Sequence, residues 1–426
     1  MQVTQVCPGI FRLSANVHDI LFEGIWPIPN GVSINSYIVK GQKVAIVDGV
    51  CGWDGVPETL FAQLNAMEVK ITDIDYVIIN HMEPDHSGWI EAFRAIRGDD
   101  FTIVTSAKAV PLLTAFYGLP TLRVREVGDG DSLDLGDGRV LAFAEIPNVH
   151  WPETIATFDT KSGTLLPCDA FGSFGAIDQA AYDDQLSPEQ IAFYETEAVR
   201  YYANIVAAFS QPTGKAIEKV AKLLGDKIKI IAPGHGIVWR QNPGKILADY
   251  QRYVSYQKGP AKAEVTVIWG SMYGNTESAV PAVIKGLREA CVVIHEFRVP
   301  QDHIGDILAA AWTSTGIVLA MPTYEYKMFP PMAAVIDELA KKKVQNRFAF
   351  RFGSYGWSGG AQAELIDLMR QHKTRWRFLK PVEFKGRPTA VDLSLIQERG
   401  RNLGLKVLEW VQQGHENLDG CIDPDE

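Results

Sequence analysis

The stretch HMEPDHSG, residues 81–88, follows the apolar run IDYVIIN and packs two histidines, a glutamate and an aspartate into six positions. Imidazole and carboxylate side chains this close, at the end of a strand-like run, ask for a cation. An acidic surface loop with solvated histidines has the same local composition, so the rest of the chain must decide. NVHWP places His150, LLPCDAFG places Asp169 and APGHG places His235, each at a turn after an apolar run, where a β-layered domain gathers ligands. The chain has nine histidines and four fall in this set; His18, His295, His303, His372 and His415 lack such settings and read as surface or structural residues.

At 426 residues the chain is long enough for two or three domains. Hydrophobic content of 46% with 22% charged residues is globular, and only the tail DGCIDPDE reads as loose. Net charge is −10, from 41 basic and 51 acidic residues, with no Lys/Arg run interleaved with aromatics, so nucleic acid is not an expected partner. The segment MQVTQVCPGIFRL does not read as a signal peptide and no long apolar run suggests a membrane span, so the expectation is a soluble cytoplasmic protein with no membrane partner. Five cysteines (Cys7, Cys51, Cys168, Cys291, Cys421), none in a C-x-x-C pair, indicate neither a disulfide framework nor a cysteine metal knot.

The first half reads as short strands and turns. GVSINSYIVKGQKVAIVDGV alternates like a hairpin around Gly41-Gln42, and DSLDLGDGRVLAFAEI does the same around Gly136-Asp137-Gly138. Helical periodicity is confined to segments such as PETLFAQLNAM and SPEQIAFYETEAVRYYANIVAAF, so 1–248 reads as an α+β, αββα layered domain. A polar passage at 249–263 reads as a linker. From Glu264 strands alternate with helices, and five strands make 264–426 a doubly wound α/β domain with a parallel sheet in the flavodoxin-like order 2-1-3-4-5.

In that second domain the strand EVTVIWG runs into SMYGNTES, which opens a helix. Ser271 and Thr276, with Gly274 allowing close approach, suit a phosphate at a helix N-terminus; a capped turn without ligand has the same local pattern. MPTYEY and GSYGWSGGA follow the next strands, and in a doubly wound sheet such strand ends border the crevice at the switch point. Together the three loops resemble the flavodoxin FMN site. That resemblance implies that Ser271, Met272, Tyr273, Gly274, Asn275 and Thr276 hold the phosphate. Pro322, Thr323, Tyr324, Ser354, Tyr355, Gly356, Trp357 and Gly360 would then surround the isoalloxazine. Glu325 departs from that loop's usual neutral residue and receives no role.

The pattern H-x-E-x-D-H, followed by His, Asp and His at long spacing, resembles the metallo-β-lactamase fold and, within it, the flavodiiron proteins. Hydrolytic members usually carry histidine where Glu83 stands; a third carboxylate beside Asp85 and Asp169 suits two irons better than two zincs. The resemblance implies His81, Glu83 and His150 on one iron, Asp85, His86 and His235 on the other, and Asp169 between them. It further implies reduction of dioxygen to water, of nitric oxide to nitrous oxide, or both. Electrons would come through FMN from an external rubredoxin or a reduced deazaflavin. A head-to-tail homodimer, or a dimer of dimers, would bring one chain's flavin to its partner's irons. The competing expectation is a zinc-dependent hydrolase of the same fold fused to a flavodoxin-like module. LFEGIWPIPNGVSINSY, with Trp26, Pro27, Ile28 and Pro29, would lie over the metal pocket, either as a rigid lead into a strand or as a gate.

Overall fold

Buried parallel strands need apolar side chains on both faces, and the chain supplies such runs in two separate places. The computed structural model describes residues 3–50, 56–118, 123–178 and 180–413. It divides into two compact units with the boundary between Gln251 and Arg252.

The first unit contains a seven-stranded sheet in the spatial order Thr4–Cys7, Ile10–Val17, Val32–Lys40, Val44–Val47, Ile74–Ile78, Thr102–Thr105 and Arg123–Glu126. Pairing is antiparallel up to Val44–Val47 and parallel beyond it. One face carries helices: Leu60, Leu64, Phe93 and Leu113 pack on Leu13, Ile38, Ile46 and Val77. A second sheet runs Ser132–Asp134, Val140–Glu145, Ile155–Asp159, Thr164–Leu166, Ile230–Ile231. The two hairpins expected around Gly41 and Gly138 are present as antiparallel pairs. The helix Pro188–Tyr201 starts at Ser187, whose hydroxyl accepts from the Gln190 amide while the Gln190 side chain accepts from the Ser187 amide, a capping box. It runs directly into a π-helical turn, Tyr202–Val206.

The second unit is a parallel sheet ordered Val293–Arg298, Lys262–Trp269, Ser314–Ala320, Phe348–Tyr355, with Arg377–Phe378 and Val382–Lys385 both pairing with the last of these. In chain order that is 2-1-3-4-5, the expected topology. Val265, Val267, Val318, Phe350 and Phe352 form its core with Leu287, Leu403 and Val407 from the covering helices. The stretch 249–263, expected as a linker, is helical as far as Tyr256, the end of Pro243–Tyr256, and extended from Lys262. Ile246, Tyr250 and Tyr253 explain the difference: they recur at helical spacing and are all buried. Among the described residues no helix is long and apolar enough to cross a membrane. The tail DGCIDPDE lies outside the described residues, as do Cys51 and Cys421.

Candidate metal centre and flavin loops

After the strand Ile74–Ile78 the backbone is pinned before it reaches the first histidine. Asp48 accepts from the Asn80 amide at 2.8 Å and from Asn80 Nδ2 at 3.1 Å, and Asn80 Oδ1 accepts from Thr157 Oγ1 at 2.7 Å. Glu83 is extended, as a residue before proline must be, and the single turn Pro84–Ser87 then buries Asp85 and His86. Ser87 Oγ donates to Met82 O and Trp89 Nε1 donates to His86 O, both at 2.8 Å. Glycine is required opposite: a Cβ on Gly49 would lie 1.6 Å from Trp89 Nε1.

All seven expected metal ligands fall into groups of mutually close side chains: His81, Glu83, His150 and Asp169 in one, Asp85, His86 and His235 in another, the ligand atoms of each lying within 4.8 Å of one another. Asp169 links the two. Its Oδ2 is 3.4 Å from His81 Nε2 and 3.0 Å from His150 Nε2, while its Oδ1 is 2.8 Å from His86 Nε2 and 3.4 Å from His235 Nε2. Glu83 Oε2 joins the first pair at 3.3 and 2.9 Å, and Asp85 Oδ2 joins the second at 3.3 Å from each imidazole.

These side chains fit metal ions better than they fit one another. His81 Nδ1 donates to Glu153 Oε1 at 2.9 Å and His235 Nδ1 donates to Ser33 O at 3.0 Å, which leaves each Nε2 as a lone pair aimed inward. His86 and His235 bring two Nε2 atoms within 3.1 Å. Both Asp85 oxygens are buried without a hydrogen-bond partner among the described residues. The electrostatics say the same. Burial pushes each imidazole down, but the facing carboxylates outweigh it: His81 stands well above its ordinary value, His86 is raised, His150 reaches about 9 and His235 about 10. Burial likewise pushes Asp169 and Glu83 up, and the histidines around them reverse it.

An aromatic wall surrounds the cluster. Trp151 is edge-on to His81 with centroids 5.1 Å apart, Phe22 is edge-on to His235 at 5.6 Å, and Phe174 touches both Phe22 and Tyr201. Tyr201 lies 5.6 Å from His235, and its hydroxyl is buried without a partner among the described residues. Burial, then Asp169, hold its pKa well above the ordinary value, so it keeps its proton. The segment around Trp26 now has a place: a two-stranded ribbon, Leu21–Phe22 with Trp26–Pro27, sets Phe22 against His235, and Arg200 Nη2 anchors it through Pro27 O at 2.7 Å. Sequence reasoning placed Phe22 in the stretch over the metal pocket but missed Tyr201 and Glu153. Only Glu153 carried a local signal, three positions after His150.

In the second unit the expected flavin loops are tied together at the strand ends. Ser271 Oγ accepts from the Gly274 amide at 3.0 Å, with Gly274 at φ +81, and Thr276 Oγ1 meets Ser354 Oγ at 2.9 Å and accepts from the Ser354 amide. Glu325 and Tyr326 both have positive φ, as a two-residue hairpin turn of type I′ requires, so Glu325 sits at the tip of the ribbon Thr323–Tyr324 with Lys327–Met328. Trp357 Nε1 donates to Tyr326 Oη at 3.2 Å, and a Cβ on Gly360 would lie 2.0 Å from Tyr326 O. Tyr273, Tyr324, Tyr326 and Trp357 are exposed, while Thr323 Oγ1 is buried without a partner among the described residues. Exposed aromatics beside an orphaned hydroxyl and open glycines at Gly274 and Gly356 suit a planar ring with a polar edge and a phosphate. Pro322 is buried, Met272 and Asn275 lie in the loop expected to take the phosphate, and Tyr355 is half-buried at the end of its strand.

Comparison with known proteins agrees with both halves. The family described as ODP family beta lactamase matches residues 32–236. The anaerobic nitric oxide reductase flavorubredoxin of Salmonella typhi is 32% identical over 378 residues, covering 88% of this chain and 75% of its own. The solved flavodiiron protein of Giardia intestinalis superposes with TM-score 0.89 at 25% identity, covering 97% of this chain and 98% of its own. A variant of the flavo di-iron protein of Thermotoga maritima gives TM-score 0.85 at 28% identity over 95% and 98%. Rubredoxin oxygen:oxidoreductase of Desulfovibrio gigas gives 0.87 at 24% over 96% and 99%, a likeness of fold. A ligand cluster spanned by one carboxylate, flavin loops on a 2-1-3-4-5 sheet and these relatives lead to one statement: the chain belongs to the flavodiiron protein family.

Proposed function

We propose that this protein is an oxidoreductase that reduces dioxygen to water, nitric oxide to nitrous oxide, or both, at a pair of irons, with electrons delivered through FMN. The observation that carries this is Asp169, whose two oxygens face two separate histidine pairs while Glu83 and Asp85 add a hard oxygen to each. His81, Glu83 and His150 would hold one iron, Asp85, His86 and His235 the other, and Asp169 both. Ser271 to Thr276 would hold the flavin phosphate, and the loops at Pro322 and Ser354 its ring. When bound, a reduced flavin supplies two electrons and a ferrous pair two more, the four that dioxygen needs, whereas coupling two nitric oxide molecules needs two.

The chain's own groups then have defined tasks. Glu153 and the Ser33 carbonyl orient His81 and His235 through their Nδ1 atoms. Phe22, Phe174 and Trp151 exclude water and give an apolar surroundings that a diatomic gas enters without desolvation cost. Tyr201 holds a proton on Oη within electrostatic reach of Asp169, Glu83 and Asp85.

An external rubredoxin is the favoured electron donor, supported by the names flavorubredoxin and rubredoxin oxygen:oxidoreductase among the similar proteins; a reduced deazaflavin is the alternative. Because metal ligands and flavin loops belong to different units, the working form is a head-to-tail homodimer, alone or doubled, in which one chain's flavin serves its partner's irons. A zinc hydrolase gains no support, since Glu83 stands where such a site wants histidine. Metal and flavin analysis followed by anaerobic single-turnover oxidation of the reduced protein by each gas tests the proposal. About one FMN and two irons per chain with rapid oxidation is expected; stoichiometric zinc, or a reduced protein inert to both gases, overturns it.

A further inference from the structure

We propose that the cavity at Arg12 is a binding site for a small oxyanion, separate from the metal and flavin sites. Arg12, on the strand Ile10–Val17, is 1% exposed. Its Nε donates to Asn35 Oδ1 at 2.8 Å and its Nη2 to Ser14 Oγ at 2.7 Å, both neutral acceptors. Among the described residues no carboxylate lies within ion-pair distance of it, and Nη1 donates no hydrogen bond.

Of three other buried arginines two are ion-paired and the third, like Arg12, meets only neutral acceptors. Arg139 pairs with Asp159 at 2.7 Å, Arg351 pairs with Glu383, and Arg347 is spent on the backbone carbonyls of Ala311 and Trp312. A buried cation left without an anion is costly, so the fold has reason to leave room for one. Room exists: Arg12 lines a cavity of about 340 Å³ together with Ser14, Asn16, Thr59, Ile177 and Asp178. A guanidinium edge opening into a cavity is built for two parallel hydrogen bonds to a phosphate or carboxylate. Ser14 Oγ, which accepts from Nη2, has its own proton to give such an anion. Asn16 Nδ2 is already taken by Ile177 O at 2.9 Å and Asp178 Oδ1 at 3.1 Å. Asp178, exposed at the rim, opposes an anion and keeps the site weak.

The same guanidinium braces a metal ligand. Asn35, held by Arg12 Nε, donates from Nδ2 to Pro233 O at 3.0 Å and Gly236 O at 2.9 Å, the turn that carries His235.

The test is calorimetric titration of the holoenzyme with inorganic phosphate and, as a second arm, acetate; which of them binds identifies a phosphate or a carboxylate as the natural chemistry. Because irons can also take phosphate, the diagnostic is the difference between variants. Arg12→Gln should weaken one saturable site by roughly tenfold or more. Asp178→Asn, on the surface and harmless to folding, should tighten the same site by about two- to fivefold. Isotherms identical in wild type and Asp178→Asn, or no saturable binding of either anion by wild type, overturn the proposal even if Arg12→Gln fails to fold.

Discussion

Glu153 offers the sharpest test of how the metal pocket is held. It is 2% exposed, and its Oε1 accepts from His81 Nδ1 at 2.9 Å and from the Met82 amide at 3.0 Å. Metal on Nε2 makes the Nδ1 proton more acidic, which strengthens its bond to a carboxylate. Glu153→Gln keeps an acceptor but removes the charge. Charge-assisted hydrogen bonds contribute ~1.5–3 kcal/mol and neutral ones ~0.5–1.5, so the change should cost about 1–1.5 kcal/mol. That is roughly tenfold in iron dissociation constant. Glu153→Ala removes the one oxygen that accepts both bonds, leaving the Met82 amide unmet and His81 Nδ1 with only Thr154 Oγ1 at 3.4 Å, a loss of about 2–3 kcal/mol, toward the hundredfold end of what outer partners of metal-bound histidines contribute. The assay is chelator competition at fixed pH, followed by metal analysis, with flavin content as the internal control because the flavin loops lie in the other unit. A Glu153→Ala protein that resisted chelation as well as wild type would refute this account of His81.

Three further experiments probe the other links. Glu83→His restores the ligand type of the hydrolytic relatives and should shift metal content from iron toward zinc and abolish gas reduction with FMN retained; unchanged oxidase turnover would contradict the role given to Glu83. Gly360→Ala forces a side chain onto Tyr326 O at a φ of +145; strain of ~1–3 kcal/mol should weaken FMN binding by roughly tenfold or more, measured by fluorescence titration of the apoprotein. Chains carrying His86→Asn with His235→Asn, mixed with chains carrying Gly274→Asp with Thr276→Asp, should regain part of the activity that neither has alone. Absence of recovery in mass-verified mixed dimers would place electron transfer inside one protomer.

The residues that gather around Asp169 and the loops that meet at the strand ends of the second unit were legible in the sequence because both depend on residue types that are rarely found together for any other reason. His81, Glu83, Asp85 and His86 declare themselves by local spacing, and the glycine- and aromatic-rich loops by their position at strand ends. The 2-1-3-4-5 order was expected as the flavodoxin-like one that suits five alternating strands of this length. What orients these residues was not legible. Glu153 reaches His81 across 72 positions, Asn35 reaches Pro233 across 198, and Tyr201 and Phe22 meet at His235 from opposite ends of the first unit. The helix over part of 249–263 was hidden in the same way, behind tyrosines whose burial depends on what packs against them. A glutamate, a phenylalanine or an arginine has no signature of its own at such positions. A metal ligand is recognised by its own donor atom, whereas a residue that positions one acquires its task from distant backbone that folding brings within hydrogen-bond range.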